Sequence, residues 1–504
     1  RVRLGDVDGS GPADLVYLGR QQVRWWPNQA GNGFGAEQVL DAVPPVDSLT
    51  RIELVDLLGT GTSCLVWASP LHRDAVRYLD LSRGTDTPVG TGGTGSTGST
   101  GSTSATDPAG RKPRLLTGVR NNFGAETAVQ YAASTVFYLA DRDSGTPSQA
   151  WTTRLPFPVQ VVASTTTTEA VSGTVSGCRY SYRHGYFDGA EREFRGFGMV
   201  QTQDTQAFPA SPSGDLATPP VRTRSWFHTG GYRSVLTDCY TADPLAVPLF
   251  GPILDGLAGG EDYRQALRAL AGVPLRTEIY ADDATAQAQH PYSVTEHRYR
   301  VLRLQPAAEP GQDHFAARAP WTQWAAFTKH ELETVVRDYE RDPADPRTSH
   351  ALTLDVDDHG VVRSSAAVGY RRRTPQIPEQ QPTPVLWTSQ NTVTTDTADA
   401  LRLGVPIESR IFEITGLPDP GTGCYTFEAV RDAVTTAAGA EIPYETTPAP
   451  GAVHARCVEH TRTRYWSDDL TTELPAGQVG IRALPHHTER VAFTPGLLTA
   501  AFGA

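Results

Sequence analysis

Apolar and polar positions alternate along this chain in short runs, and Gly, Pro, Asn and Asp cluster between the runs. That spacing predicts short strands joined by tight turns. Leu15–Leu18 and Leu65–Trp67 are two such apolar runs, each preceded by an Asp/Gly-rich turn. In Tyr180–Val200, Tyr180 and Tyr182 alternate with polar neighbours, as in a half-buried strand. Asp188-Gly189 marks a hairpin turn, because glycine supplies the positive φ that such turns need. Glu191–Phe197 reads as the returning strand, and Gly196 and Gly198 leave room for a backbone or ring to approach. The stretch is expected to form a rigid β-corner, with Tyr180, Tyr182, Tyr186, Phe187, Phe194 and Phe197 buried against neighbouring strands. Leu352–Val356 and Val361–Tyr370, joined through Asp357-Asp358-His359-Gly360, predict a second hairpin.

Helical spacing is rare. Glu261–Ala271 carries Leu267 and Leu270 among alanines and charges, with Gly272 as a C-cap. Tyr425–Ala438 places Phe427, Val430 and Val434 on one helical face. Pro156 and Pro158 put Trp151–Val162 on an edge or an extended crossing. Phe208–Pro220 reads as a Pro/Ser loop. Gly84–Gly110 has almost no apolar side chains, so ordering it would bury nothing to offset the chain entropy; a flexible linker is expected there.

Composition sharpens this picture. The 504 residues suffice for more than one domain, and 47 Gly with 38 Pro favour short strands over long helices. A net charge of -12 argues against nucleic acid or an anionic membrane as partner. Arg371-Arg372-Arg373 is the longest basic run and reads as a solvated strand end. Cys64, Cys178, Cys239, Cys424 and Cys457 are odd in number and not at metal-ligand spacing, so buried free thiols are expected. No apolar stretch is long enough to span a bilayer. The chain opens on Arg1 inside a motif, which is expected of a fragment.

Candidate chemistry is sparse. Asp6, Asp8, Ser10 and Asp14 alternate around Gly9 and Gly11, an arrangement of oxygen side chains suited to a Ca²⁺ ion. A turn in which Asp side chains bond backbone N–H groups is the competing reading. A second copy, Asp56-Leu57-Leu58-Gly59-Thr60-Gly61, has Leu58 where the acid is needed and is not expected to bind metal. Asp355, Asp357, Asp358 and His359 form an acidic tip best read as a solvated turn. His228, alone on an aromatic strand, reads as structural. No G-x-S-x-G, no H-E-x-x-H and no other paired constellation occurs, so no catalytic residue is assigned and no cofactor beyond Ca²⁺ is expected.

Several runs resemble one family. The Asp loops and the Arg24-Trp25-Trp26-Pro27-Asn28 to Gly31-Asn32-Gly33-Phe34 stretch resemble FG-GAP/VCBS propeller repeats. Asn121–Thr127, Trp151–Val162, Gly185–Asp204, Arg224–Gly230, Arg276–Tyr280 with Pro291–Glu296, Asp345–Val356, Tyr465–Leu470 and Ala492–Leu497 resemble the middle region of the B components of Tc insecticidal toxin complexes and the related SpvB/TcaC proteins. The resemblance implies a mainly β fold: part of a β-propeller, then Rhs/YD-type shell segments with a few short helices. It implies propeller repeats over 1–83, the linker over 84–111, middle-region β segments over 112–220 and 221–375, and the start of the shell over 376–504. It implies a non-enzymatic structural role in docking on a channel-forming A component and in enclosing a toxic cargo with a shell-closing C component. Synthesis in the cytoplasm and release in an extracellular toxin complex would follow. An FG-GAP-type adhesion module is the alternative, because such propellers also serve there.

Overall fold

The computed structural model describes residues 1–41, 49–70, 76–81, 90–91, 112–207, 218–231, 236–249, 251–257, 259–306 and 325–503. It divides into two compact units, Arg1–Arg222 and Thr223–Ala504. Most of the predicted Gly84–Gly110 linker lies outside the described residues, as do residues 208–217 of the predicted Pro/Ser loop.

The first unit opens with two four-stranded antiparallel meanders. One holds β1 (Val2–Gly5), β2 (Asp14–Leu18), β3 (Gln22–Trp26) and β4 (Gln38–Asp41). The other holds β5 (Arg51–Val55), β6 (Cys64–Ala68), β7 (Val76–Leu79) and β8 (Gly90–Thr91). The apolar alternation explains their packing: Val16, Leu18, Val23 and Trp25 of the first sheet share one core with Ile52, Leu65, Trp67 and Leu79 of the second. The two Asp-rich turns occupy equivalent places, between the first and second strand of each meander.

Five antiparallel strands of a larger sheet follow in the order β9 (Gly118–Arg120), β10 (Ala125–Ala133), β11 (Gln160–Glu169), β12 (Val175–Asp188) and β13 (Glu193–Ala207). Between β10 and β11 the chain forms helix α1 (Ser134–Asp143). The sequence hid α1, because it starts straight from a strand with no side chain capping Ala133. β14 (Thr218–Phe227) then carries the chain into the second unit, so the predicted loop gives way to strand by Thr218.

The second unit is built on one long antiparallel sheet. In order it contains β16 (Pro274–Ala281), β17 (Ser293–Gln305), β18 (Ala326–Asp338), β19 (Arg347–Val356), β20 (Val362–Gly369), β21 (Val385–Asp396), β22 (Leu401–Thr415), β24 (His454–Tyr465) and β25 (Pro485–Arg490). Short strands β15 (Ile253–Leu254) and β23 (Glu441–Ile442) pair parallel to β17 and β24.

Both predicted helices are present. α2 (Gly260–Arg268) places Ala266, Leu267 and the following Leu270 on Tyr299 and Val301. Its C-cap is Ala269; Gly272 comes three residues later with φ +82° and donates its N–H to His228 O. α3 (Phe427–Ala438) is capped by Thr426, whose Oγ1 accepts from Ala429 N. Its buried Phe427, Val430, Val434 and Ala437 pack on Leu352, Val368, Phe412 and Ile414. A further helix, α4 (Pro495–Phe502), begins with Thr494 as N-cap and Pro495 in the first turn, a start signal readable in the sequence.

Candidate functional site

Three places concentrate functional groups: the Asp turns, the Tyr180–Val200 hairpin and a buried ionic network in the second unit.

The first turn gathers Asp6, Asp8 and Asp14, each offering a carboxylate oxygen within 4.8 Å of the others. Asp14 is fully buried, and its oxygens accept from Val7 N at 2.9 Å and Asn28 N at 2.8 Å. Asp8 accepts from Ser10 N, and Asp6 from Gly11 N. These bonds give the local reason for the fold: carboxylates alternate so that each binds a backbone N–H of the same turn. Asp6 Oδ1 and Ser10 Oγ remain buried without a hydrogen-bond partner. The donor set is therefore all oxygen, with two unsatisfied atoms, and suits a hard cation.

Protein cations also reach this turn. Arg114 Nη2 lies 2.6 Å from Asp8 Oδ2, and Lys112 Nζ lies 3.7 Å from Asp6 Oδ2. A Cβ on Gly9 would stand 2.3 Å from Pro113 Cγ, so the Lys112–Arg114 segment is laid directly on the turn. The second turn has no room for the same chemistry. Asp56 spends both oxygens on Thr60 N and Gly61 N, while Leu57 and Leu58 are exposed.

The Tyr180–Val200 stretch is a hairpin of β12 and β13, with Asp188 opposite Glu193. The returning strand begins at Glu193, two residues later than expected, because Asp188 closes a wider turn. Its Oδ1 accepts from Ala190 N at 3.0 Å and Glu191 N at 3.1 Å, and its Oδ2 lies 2.8 Å from Arg195 Nη2. A bulge between Gly185 and Phe187 interrupts the register. The aromatic side chains form a chain of ring contacts. Phe197 meets Tyr182 at 4.9 Å, Phe194 at 5.5 Å and Trp151 at 6.2 Å, and Tyr182 meets Phe137 at 5.5 Å.

Two expectations need correction here. Phe194 is 36% exposed, and Tyr180, Tyr182, Tyr186, Phe187 and Phe197 are only half-buried, so none of the six aromatics is a core residue; Met199 of β13 is buried. The close approach falls at Gly185, where a Cβ would stand 2.6 Å from Leu155 Cδ1 and 3.1 Å from Phe197 Cε1. At Gly196 a Cβ would meet nothing within 4 Å, and the glycine is needed there for its φ of +83°.

The hairpin also buries a histidine that the sequence did not single out. His184 is fully buried, accepts from Thr152 N at 3.0 Å, and is held down to about 4 by burial and then by the Arg183 charge. His228 behaves as the structural residue expected: Gly230 N donates to its Nδ1 at 2.9 Å, and burial lowers it to about 4.

The third place was missed. Along β16, Arg276, Glu278 and Tyr280 all point inward and are buried. Arg276 Nε lies 2.7 Å from Glu278 Oε1, and its Nη1 lies 2.7 Å from Glu296 Oε1 on β17. Arg337 of β18 binds the other Glu296 oxygen at 2.6 Å. Next in the sheet, Glu333 accepts from Arg298 at 2.7 Å and lies 3.2 Å from His350 Nε2. Arg373 holds Asp243, which also accepts from Tyr339 Oη at 2.9 Å. Burial pushes the Glu333 and Asp243 carboxyls up. Hydrogen bonds from His350 and Arg298 to Glu333, and from Arg373 and Tyr339 to Asp243, outweigh it and hold both below the usual range. Arg371-Arg372-Arg373 is solvated only at its start: Arg371 is exposed and pairs with the exposed Asp419, whereas Arg372 and Arg373 are half-buried and pair with Asp345 and Asp243. The network stitches neighbouring strands, and its carboxylates are engaged by cations.

The acidic tip at Asp357 is a turn, with Oδ1 accepting from His359 N and Val361 N, both at 2.9 Å. All five cysteines are free thiols. Only Cys64 is buried, which pushes it up to about 11; the other four are half-buried.

Comparisons with known proteins agree with this architecture. Residues 28–230 match the family described as the insecticide toxin TcdB middle/N-terminal region, and residues 265–404 match the TcdB middle/C-terminal region. No curated protein matches the chain. The crystal structure of TcdB2-TccC3 matches with a TM-score of 0.73 and 25% identity, over 100% of this chain and 23% of that one. A variant Tc holotoxin pore of Photorhabdus luminescens matches with a TM-score of 0.70 and 24% identity, over 100% of this chain and 22% of that one. The chain spans less than a quarter of the solved chains it matches. With a mainly β architecture whose whole length matches one part of the solved chains, and two successive family regions in order, this chain belongs to the B components of the Tc insecticidal toxin complexes, whose middle region it carries.

Proposed function

We propose that this region is structural: its long antiparallel sheet forms part of the wall that encloses a toxic cargo, and its two meanders belong to a propeller that docks on a channel-forming component. The observation that carries the reading is the second unit, where nine strands run as one sheet whose interior charges are spent on cross-strand ion pairs. Such a surface resists opening, and among the described residues its buried carboxylates are engaged by arginines. The neighbouring structures include a TcdB2-TccC3 complex and a holotoxin pore, which supports a shell-closing component and a channel as partners and release as an extracellular complex. The test is co-expression of the full-length B component with its C component, followed by pull-down on the channel component. A stable ternary complex is expected. A B component that binds neither, yet attaches alone to cell surfaces, would favour the adhesion reading.

The Asp6–Asp14 turn is proposed to take Ca²⁺ through Asp6, Asp8, Ser10 and Asp14, with Arg114 and Lys112 neutralising it otherwise. Because an ion that binds only the folded state stabilises it by mass action, millimolar Ca²⁺ should raise the melting temperature of the wild type and leave Asp8→Ala unmoved. An unchanged wild-type curve would leave the turn as a seat for the Lys112–Arg114 segment.

A further inference from the structure

We propose that Glu473, His486 and His487 form a three-ligand Zn²⁺ site at the last strand of the second unit. Each of the three offers one ligand atom, and these atoms lie within 4.8 Å of one another. Two imidazoles and a carboxylate are a donor set suited to Zn²⁺, and three protein ligands leave its fourth position open.

The backbone explains how adjacent histidines come to share a site. In a regular strand, His486 and His487 would face opposite sides of the sheet. Here the β24–β25 register jumps: Arg464 pairs with His487 and Tyr465 with Pro485, so His486 is the extra residue of a bulge. Bulges re-aim side chains. This one brings His486 Nδ1 and His487 Nδ1 into direct contact. Without an ion, His486 donates its Nδ1–H to His487 Nδ1; Zn²⁺ would take the place of that proton.

Trp466 fixes the third ligand. It bridges to Glu473 on one side, and on the other its N–H donates to Leu484 O at 2.9 Å, just before Pro485. Its ring stands edge-on to His486 at 4.1 Å. Arg464 holds Glu473 through Oε1 at 2.8 Å, which leaves Oε2 for the ion. His487 has the outer partner that ligating histidines commonly use: its Nε2 lies 3.4 Å from Glu489 Oε1, so that nitrogen carries the proton and Nδ1 is free to ligate. Neither the family regions nor the proposed shell role calls for this site.

The test is calorimetric titration of chelator-treated, untagged protein with ZnCl₂, with the melting temperature followed in parallel. The wild type is expected to take up about one equivalent and to melt higher with Zn²⁺. His486→Ala, His487→Ala and Glu473→Gln should each weaken binding at least about tenfold, since even outer partners are worth that much. His359→Ala, in an exposed turn elsewhere, should bind as the wild type does. If a histidine variant fails to fold, Glu473→Gln and the wild-type Zn²⁺ shift decide. A wild type that takes up no Zn²⁺ below millimolar concentration, or Glu473→Gln and His487→Ala binding unchanged, would overturn the proposal.

Discussion

Glu296→Ala should cost the second unit about 3–5 kcal/mol, the penalty for leaving buried charges without their partner. Glu296 is 4% exposed and sits between Arg276 and Arg337, both buried as well. Its removal takes a carboxylate from two buried guanidiniums at once: Arg276 keeps Glu278, but Arg337 keeps the Val247 carbonyl and no carboxylate. Exposed pairs behave differently, because water screens them: disrupting Arg347–Glu340, where both side chains are more than half exposed, should change stability by less than about 1 kcal/mol. Calorimetric unfolding of the single variants checks both. A Glu296→Ala transition at the wild-type temperature would show that the network is not what holds these strands together.

The same network sets an acid limit. Glu333 and Asp243 titrate below their ordinary range in the fold, so their contribution is complete above that range and is lost as the pH falls through the folded values. His184 and His228, held at about 4 against an ordinary 6.5, act in the same direction, because the unfolded chain takes up their protons first. Stability should therefore fall from about pH 6.5 to pH 4 through the two histidines, and further below about pH 4 through the two carboxylates.

The second large effect is expected in the hairpin. Phe197→Ala removes the ring that Tyr182, Trp151 and Phe194 all meet, and should cost about 3 kcal/mol, the low end for a core phenylalanine because the site is only half-buried. Phe194→Ala should cost clearly less, since that ring is 36% exposed. Thermal unfolding of the two variants side by side gives the order. Equal and negligible shifts would remove the structural reading of this stretch and turn attention to Asp188, Glu191 and Arg195 as chemistry.

How far the sequence could be read depends on which interaction dominated locally. Period and turn residues made the β19–β20 hairpin and α3 legible, because Gly360 and the apolar spacing agree with the final packing; the Thr426 cap on α3 was not read. The Asp6–Asp14 turn was legible as a cluster, but not the Lys112–Arg114 segment laid on it, which arrives from more than a hundred residues away. The ionic network was hidden for a different reason. Arg276 and Glu278 alternate as an outward-facing polar pair would, and only the partners on β17 and β18 make burial affordable. At Gly185 and Gly196 the composition was identical and the roles opposite: one needs space, the other a backbone angle that only the fold assigns.

If this region walls in a cargo, the cargo should be protected from protease. Full-length B component is co-purified with its cargo-bearing C component and exposed to a non-specific protease, wild type beside Glu296→Ala. An intact cargo band is expected in the wild type, and its loss in Glu296→Ala at a temperature where the weakened sheet opens. Digestion of the cargo in the wild-type complex at the same rate as free cargo would contradict it.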